Sequence, residues 1–217
     1  MNRDIPGSVP DRVKTFLDEQ GIPSLRPCQA KAVEAGLFEG NNLLVATPTA
    51  SGKTLVGEMA MVNHSPQGKS LYIVPLRALA SEKRKDFKER HDLNVSLATG
   101  EADSSGDSLK HGDYIIATSE KVDSLLRHHA SWLEDVRCVV VDEIHLLNDK
   151  GRGPTLEVVL TLLRRIVKDV QIIGLSATIG NPENLAGWLD AELVQDDWRP
   201  VELREGVFFD DEVEFIE

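Results

Sequence analysis

Six short apolar runs separated by amphipathic stretches constrain the fold of this 217-residue chain more than any other feature. The runs cover residues 43–46, 71–74, 95–98, 114–117, 138–141 and 172–175. Several are continuously apolar, which is typical of strands buried on both faces. Helices are predicted between them, at 54–63, 76–90, 119–127, 155–168 and 182–190. Strands that alternate with helices predict an α/β fold with a mainly parallel sheet and helices on both faces.

The pattern within the predicted helices also indicates where ligands and the core lie. In the helix at 155–168 one apolar stripe recurs every three or four residues and is predicted to face the core. The stripe consists of Leu156, Val159, Leu160, Leu163 and Ile166. In folds of this class ligands bind beyond the carboxyl ends of the strands, so the residues that follow each apolar run are the first candidates for chemistry.

Composition narrows the class of protein. Hydrophobic residues make up 41% of the chain and charged residues 28%, a balance typical of globular domains and not of disordered or fibrous chains. The chain lacks an apolar run of about eighteen residues, so neither a membrane-spanning helix nor a membrane partner is expected. The two cysteines, Cys28 and Cys138, are too few and too far apart to suggest a disulfide framework and favour a cytosolic setting.

Charge taken alone argues against a nucleic-acid partner. The chain has 24 basic and 36 acidic residues, a net charge of −12, and polyanions repel acidic proteins. The charge is uneven, however. Ten acids and two arginines lie between residues 192 and 217, whereas residues 83–88 are mainly basic. Local motifs therefore have to decide this question.

The run at 43–46 leads into a sequence that fits the phosphate-binding P-loop, G-x-x-x-x-G-K-[ST], with alanine at the first glycine. In such a loop backbone N–H groups and a helix N-terminus surround the phosphates. Lys53 is predicted to reach the terminal phosphates, and Thr54 to offer its hydroxyl to Mg²⁺. The predicted nucleotide loop consists of Ala46, Thr47, Pro48, Thr49, Ala50, Ser51, Gly52, Lys53 and Thr54.

Two further strand ends carry polar groups. Asp142 and Glu143 follow the run at 138–141, and acids at the end of a buried strand are costly unless they meet a cation. Beside a phosphate loop, Asp142 is predicted to hold Mg²⁺ and Glu143 to orient and deprotonate the attacking water. Without that loop, a solvated pair of acids is the better interpretation. Ser176 and Thr178 follow the last run and by themselves indicate only a turn or helix cap.

These three motifs, in this order, resemble those of superfamily 2 helicases. Asp142-Glu143-Ile144-His145 resembles a DExH box, and residues 176–178 resemble motif III. Residues 74–80 resemble motif Ia, and the phrases at 173–182 and 197–201 resemble the Ski-two-like branch, among them the archaeal repair DNA helicases. The resemblance covers nearly the whole chain. It implies the first RecA-like P-loop NTPase domain at residues 1–200, with 201–217 as a linker or the start of a second such domain.

The resemblance implies an ATP-dependent DNA helicase with ATP and Mg²⁺ as cofactors. Lys53, Asp142, Glu143 and His145 are the implied catalytic residues, with His145 linking the ATP site to the coupling residues Ser176 or Thr178. Gln29 is the implied adenine contact, although an exposed helix residue is an alternative. The implied contacts to the nucleic-acid backbone are Arg77, Thr99, Gly100, Thr118, Ser119 and Lys121. A solvated surface position is the alternative for Arg77 and Lys121, and it is equally open for Arg152.

Two other functions fit the same motifs: an RNA helicase of this branch, and an ATP-dependent nucleic-acid clamp that does not unwind. The expected partners are single-stranded or forked DNA and further helicase domains, in a monomer. Because the second RecA-like domain carries the arginine fingers of the family, the isolated chain is expected to bind ATP·Mg²⁺ weakly and to hydrolyse little. Cys28 departs from the proline common in relatives, and the acidic tail has no counterpart that we can assign.

Overall fold

The computed structural model describes residues 2–65, 67–100, 107–201, 206–209 and 212–215. Its strands are β1 (Arg3–Asp4), β2 (Ser24–Leu25), β3 (Leu43–Ala46), β4 (Lys69–Val74), β5 (Val95–Ala98), β6 (Tyr114–Thr118), β7 (Val136–Val141), β8 (Gln171–Ser176), β9 (Glu192–Gln195), β10 (Gly206–Phe209) and β11 (Glu212–Phe215). Its helices are α1 (Asp11–Glu19), α2 (Pro27–Glu34), α3 (Lys53–His64), α4 (Arg77–Arg90), α5 (Ser119–Arg127), α6 (Gly153–Ile166) and α7 (Pro182–Leu189). Short 3₁₀ helices lie at Asp107–His111, Ser131–Asp135 and Ile144–Asn148.

A seven-stranded parallel sheet in the order β5-β6-β4-β7-β8-β3-β9 forms the centre of the protein. It contains all six strands that the apolar runs predict, so the α/β fold and the parallel sheet are confirmed. The seventh strand, β9, lies at the edge, and its apolar signal is weak because only Val194 is buried. The strands β1 and β2 form a separate two-residue antiparallel ladder.

The two faces of the sheet bury two separate cores. On one face, strand residues such as Val45 and Val140 pack with apolar side chains of α1, α2, α3 and α4. On the other face, their sequence neighbours Leu44 and Val141 pack with side chains of α5, α6 and α7. Successive strand residues point to opposite faces, so both must be apolar when helices cover both faces. This explains why the runs are continuous and not alternating.

The apolar stripe of α6 differs from the prediction at its last member. Leu156, Val159, Leu160 and Leu163 are buried, but Ile166 is 43% exposed. Ile166 is the last residue of the helix, and the buried residue at this end is Val167, which is 2% exposed. A step of one residue turns the side chain by about 100° around a helix axis, and this step returns the chain to the core.

Both cysteines are free and buried. Cys138 lies in β7 with no exposed surface, as its position in a valine run predicts. The pKa of its thiol is raised because burial disfavours the thiolate. The expectation of no disulfide between Cys28 and Cys138 is therefore confirmed.

The acidic tail is described only in part. The strands β10 and β11 form an antiparallel hairpin, while residues 202–205, 210–211 and 216–217 lie outside the described residues. The predicted division of the chain at residue 200 therefore stays a prediction.

The strand order divides the carboxyl edge of the sheet into two halves. The ends of β7, β8 and β3 are neighbours, and these strands lead into the three motifs of the sequence analysis. The ends of β5, β6 and β4 are neighbours on the other side. Since β4 pairs with β7, it stands where the two halves meet.

A pair of helical glycines tests the close packing of α3 on the sheet. A Cβ at Gly57 would lie 2.8 Å from Val140 Cγ1, whereas a Cβ at Gly187 in α7 meets nothing within 4 Å. We expect Gly57→Ala to destabilise the protein by about 1–3 kcal/mol, because a buried β-branched neighbour cannot yield without strain. We expect Gly187→Ala to stabilise it by up to about 1 kcal/mol, because alanine favours the helix. Urea denaturation measures both changes, and equal shifts would contradict the packing described here.

Candidate functional site

The predicted phosphate loop lies between β3 and α3, and a hydrogen bond between two of its own side chains holds its shape. The Thr47 hydroxyl is 2.8 Å from the Ser51 hydroxyl, and the Thr47 N–H donates to the Ser176 carbonyl at the end of β8. Ala50 and Gly52 both adopt positive φ, of 65° and 99°. The loop is thus a tight turn that also touches the strand of the third motif.

Lys53 brings the first two motifs together. Its ammonium donates to the carbonyls of Thr47 and Pro48, at 3.0 and 3.1 Å. Burial lowers the pKa of Lys53, while the charges of Glu143 and Asp142 act in the opposite direction. The ammonium of the loop is thus bound to loop carbonyls and lies within the electrostatic influence of the carboxylates at the end of β7.

The start of α3 offers further donors to an anion. Among the described residues, the N–H groups of Lys53 and Thr54 donate to no protein acceptor, because the first turn of a helix has no preceding carbonyls. These donors add to the ammonium of Lys53 and to the positive end of the helix dipole. The residues present thus fit a phosphate group.

The Asp142 carboxylate is held on both of its oxygens. Oδ2 accepts a hydrogen bond of 3.0 Å from the Tyr72 hydroxyl, and Oδ1 accepts one of 3.1 Å from the Glu143 N–H. Glu143 adopts a positive φ of 53°, which turns the chain sharply out of β7. The Thr54 hydroxyl accepts a long bond of 3.4 Å from Lys83. A carboxylate and a hydroxyl are the oxygen ligands that Mg²⁺ accepts, so Asp142 and Thr54 suit that ion.

Gln29 lies between a cavity and the predicted phosphate loop. It is 3% exposed, which excludes the interpretation as an exposed helix residue. Its Oε1 accepts from the Arg26 N–H at 2.8 Å, and its Nε2 donates to the Gly52 carbonyl at 3.0 Å. The amide keeps one further donor and one further acceptor site, as an adenine edge requires. A cavity of about 430 Å³ beside it is lined by Gly52, Thr54, Leu55, Glu58 and Arg90, among others.

A second cavity, of about 510 Å³, lies at the carboxyl ends of β4, β5 and β6. We call it the groove. Five of the six predicted nucleic-acid contacts line it: Arg77, Thr99, Gly100, Thr118 and Lys121. The sixth, Ser119, lines a small neighbouring cavity together with Asp142 and Glu143. The structure thus brings together residues that lie in three separate connections.

The groove carries more positive than negative side chains. Arg77, Lys121 and Arg152 line it, and Glu120 is the acid among its lining residues. Lys121 is only 7% exposed, so a solvated surface position is excluded for it. Arg152 lines both the groove and the small cavity at Asp142, which favours the groove over the surface interpretation for this residue.

The predicted link from His145 to the third motif is not formed in this structure. His145 Nδ1 lies 3.3 Å from Glu143 Oε2, and within the described residues no hydrogen bond joins it to Ser176 or Thr178. The Ser176 hydroxyl is buried, and it has no hydrogen-bond partner among the residues that the structure describes. The contact between the third motif and the phosphate loop runs through the backbone, from the Thr47 N–H to the Ser176 carbonyl.

Two residues at the site were missed by the sequence analysis. Arg26 donates to the Ala50 carbonyl at 2.9 Å and lies over the Trp198 ring, 5.7 Å from its centroid. Tyr72 contacts Asp142 from the middle of an apolar strand. No spacing rule marks Arg26, whereas a phenol inside a fully buried run is a signal, because its hydroxyl needs a partner.

Comparison with protein families decides the relationship. A family model described as DEAD/DEAH box helicase matches residues 26–185. The chain belongs to this family. The match begins at Arg26 and covers all three motifs.

Relatives of the family are longer than this chain. It is 54% identical over 206 residues to the ATP-dependent DNA helicase Hel308 of Pyrococcus abyssi, which covers 93% of this chain and 28% of the relative. It is 53% identical to the protein of the same name from Methanocaldococcus jannaschii, covering 95% of this chain and 18% of the relative. The chain therefore spans less than a third of these relatives.

Solved helicase structures share the fold. The DUF1998 helicase MrfA bound to DNA matches with a TM-score of 0.75 and 25% identity, over 90% of this chain and 31% of that one. The Mycobacterium smegmatis helicase Lhr bound to single-stranded DNA and AMP-PNP matches with a TM-score of 0.74 and 30% identity, over 89% and 28%. The RecA-like fold is thereby confirmed. Across the described residues, no helix is long and apolar enough to cross a membrane.

Two glycines with similar backbone angles test the role of Gly52. A Cβ at Gly52 would lie 2.5 Å from Gln29 Nε2, whereas Gly40, with a φ of 88°, has open space around it. Both alanine variants carry a left-handed penalty of about 1–2 kcal/mol. We expect only Gly52→Ala to weaken ATP binding as well, by about tenfold or more, because displacing Gln29 disturbs the phosphate loop. Isothermal titration with ATP and thermal denaturation separate the two effects, and equal ATP affinity of both variants would contradict this role.

Proposed function

We propose that this chain is the ATP-binding motor domain of an ATP-dependent DNA helicase. It couples ATP hydrolysis to translocation on single-stranded DNA and to unwinding at branched or forked DNA. The observation that carries the proposal is that the loop with Lys53 and the acids Asp142 and Glu143 follow β3 and β7 at the same edge of the sheet, with only β8 between these strands. Membership of the DEAD/DEAH box family, and the DNA helicase relatives at more than half identity, support it.

The residues of the ATP site have separate roles in this proposal. Lys53 and the free N–H groups of α3 bind the phosphates, and Gln29 binds the adenine edge. Thr54 and Asp142 hold Mg²⁺, which neutralises phosphate charge and aligns the leaving group. Glu143 orients the attacking water and takes its proton, and its place on a sharp turn outside β7 leaves the carboxylate accessible.

The groove binds the nucleic-acid backbone. Its hydroxyls, N–H groups and cations suit phosphates and do not select a sequence. The net charge of −12 does not oppose this, because binding depends on the local field and the acidic tail carries much of the negative charge. Polar groups from three connections of the sheet offer a nucleic-acid strand several contacts along its length.

In this proposal further domains of the full-length helicase complete the ATPase site. A second RecA-like domain supplies the arginine that stabilises the transition state, a contribution of about 10³–10⁵ in rate. The isolated chain then binds ATP·Mg²⁺ weakly and hydrolyses little. The link from His145 to Ser176 or Thr178 forms, in this proposal, when the second domain closes. A monomer and a cytosolic setting stay predictions.

Glu143→Gln tests the assignment of the base. We expect hydrolysis to fall by about 10²–10⁴-fold, because the amide cannot accept the proton of water. ATP binding stays unchanged because phosphate contacts are intact. Steady-state hydrolysis in the full-length protein with single-stranded DNA, combined with ATP titration, measures both. Glu183→Gln, an exposed acid in α7, is the control. DNA unwinding by the Glu143→Gln variant would contradict the proposed mechanism. ATP hydrolysis without DNA unwinding by the wild-type protein would favour the nucleic-acid clamp.

A matched pair on α4 tests the groove. Arg77 lines the groove, whereas Lys85 is exposed on the same helix outside it. Each change to glutamine removes one positive charge. We expect Arg77→Gln to weaken binding of every single-stranded DNA sequence and to lower the slope of log affinity against log salt by about 0.7. Lys85→Gln leaves both nearly unchanged. Fluorescence anisotropy with DNA and RNA oligonucleotides measures this, and preferential stimulation of hydrolysis by RNA would favour an RNA helicase.

A further inference from the structure

Tyr72 lies beside Asp142, one of the two proposed metal ligands. It sits in the middle of β4 with no exposed surface, and its hydroxyl donates to Asp142 Oδ2 at 3.0 Å. Asp142 comes from β7 and Tyr72 from the neighbouring strand β4, so the phenol hydroxyl ties a proposed metal ligand to the adjacent strand.

The ring of Tyr72 is fixed by its surroundings. It meets the edge of Phe87 with centroids 5.2 Å apart, and the Lys83 ammonium lies 5.9 Å from its centroid. The other carboxylate oxygen of Asp142 is held by the Glu143 N–H. With both oxygens bonded to rigid donors, the carboxylate has one orientation.

Burial of a tyrosine does not by itself explain this contact. Tyr114, on the neighbouring strand β6, is equally buried, and its hydroxyl has no hydrogen-bond partner within the described residues. This core therefore tolerates a tyrosine without an acidic partner. The contact between Tyr72 and Asp142 is specific to the strand that borders the metal site.

We propose that Tyr72 is a positioning residue of the metal site, whose hydroxyl holds Asp142 in the orientation that binds the Mg²⁺ of the nucleotide. The inference rests on the proposed function, because the ion belongs to ATP binding. Removing a hydrogen bond that orients a metal-binding side chain typically lowers the metal affinity by about 10–100-fold. In this proposal Tyr72 touches neither nucleotide nor metal and acts through Asp142.

The test separates metal binding from nucleotide binding. The affinity of this chain for a fluorescent ADP is measured in EDTA and then across a titration with MgCl₂. We expect Tyr72→Phe to keep the metal-free affinity, because the phosphate donors are intact. We expect it to raise the MgCl₂ concentration at half-maximal enhancement by about 10-fold or more. Tyr114→Phe, which removes a hydroxyl without a partner, is the matched control and leaves both values unchanged.

Three results would overturn the inference. The first is an unchanged MgCl₂ dependence in a folded Tyr72→Phe variant. The second is an equal loss of affinity with and without Mg²⁺, which indicates a structural role only. The third applies if Tyr72→Phe folds poorly. In that case the free energy of unfolding of Tyr72→Phe, Asp142→Asn and the double variant is measured by urea denaturation. Additive effects of the two changes would show that the side chains are not coupled, which overturns the inference. If the wild type binds no ADP in a Mg²⁺-dependent manner, the proposed function itself fails.

Discussion

The attraction between a half-buried ammonium group and two carboxylates that follow another strand at the same edge of the sheet is the interaction on which the site depends. Lys53 gives up much of its hydration in the loop, and the carbonyls of Thr47 and Pro48 replace part of it. The attraction to Asp142 and Glu143 is stronger there than in water, because the effective dielectric constant is lower. These groups come from the β3–α3 connection and from the end of β7. They can interact because only one strand, β8, lies between β3 and β7 in the sheet.

The parallel sheet converts sequence order into a spatial arrangement of two neighbouring sites. The connections after β3, β7 and β8 build the half of the edge that carries the proposed nucleotide site, and those after β4, β5 and β6 build the groove. The strand β4 belongs to both halves, because Tyr72 contacts Asp142 while Pro75 and Arg77 line the groove. An acidic chain can thus present a local basic surface, since the backbone arrangement, and not the overall composition, sets the field in a cleft.

Agreement between pattern and structure is closest where burial dictates residue type. The six apolar runs became six strands because both faces of each are covered. The edge strand β9 escaped because one partner strand and a half-exposed face impose little composition on it. In α6 the pattern extended to Ile166, but the core follows the turn of the backbone to Val167.

The candidate site divides in the same way. Sequence by itself determined the fold class and singled out the predicted phosphate loop and the pair of acids, because each of these follows a strand end and carries chemically distinctive groups. The groove residues were indicated by the resemblance to helicase motifs. Only the tertiary structure decided that Gln29 is buried against Gly52, that His145 faces Glu143 and not Ser176, and that Tyr72 supports Asp142. The contacts of Gln29 and Tyr72 join residues far apart in the chain, and all three contacts depend on side-chain directions that spacing along a sequence does not encode.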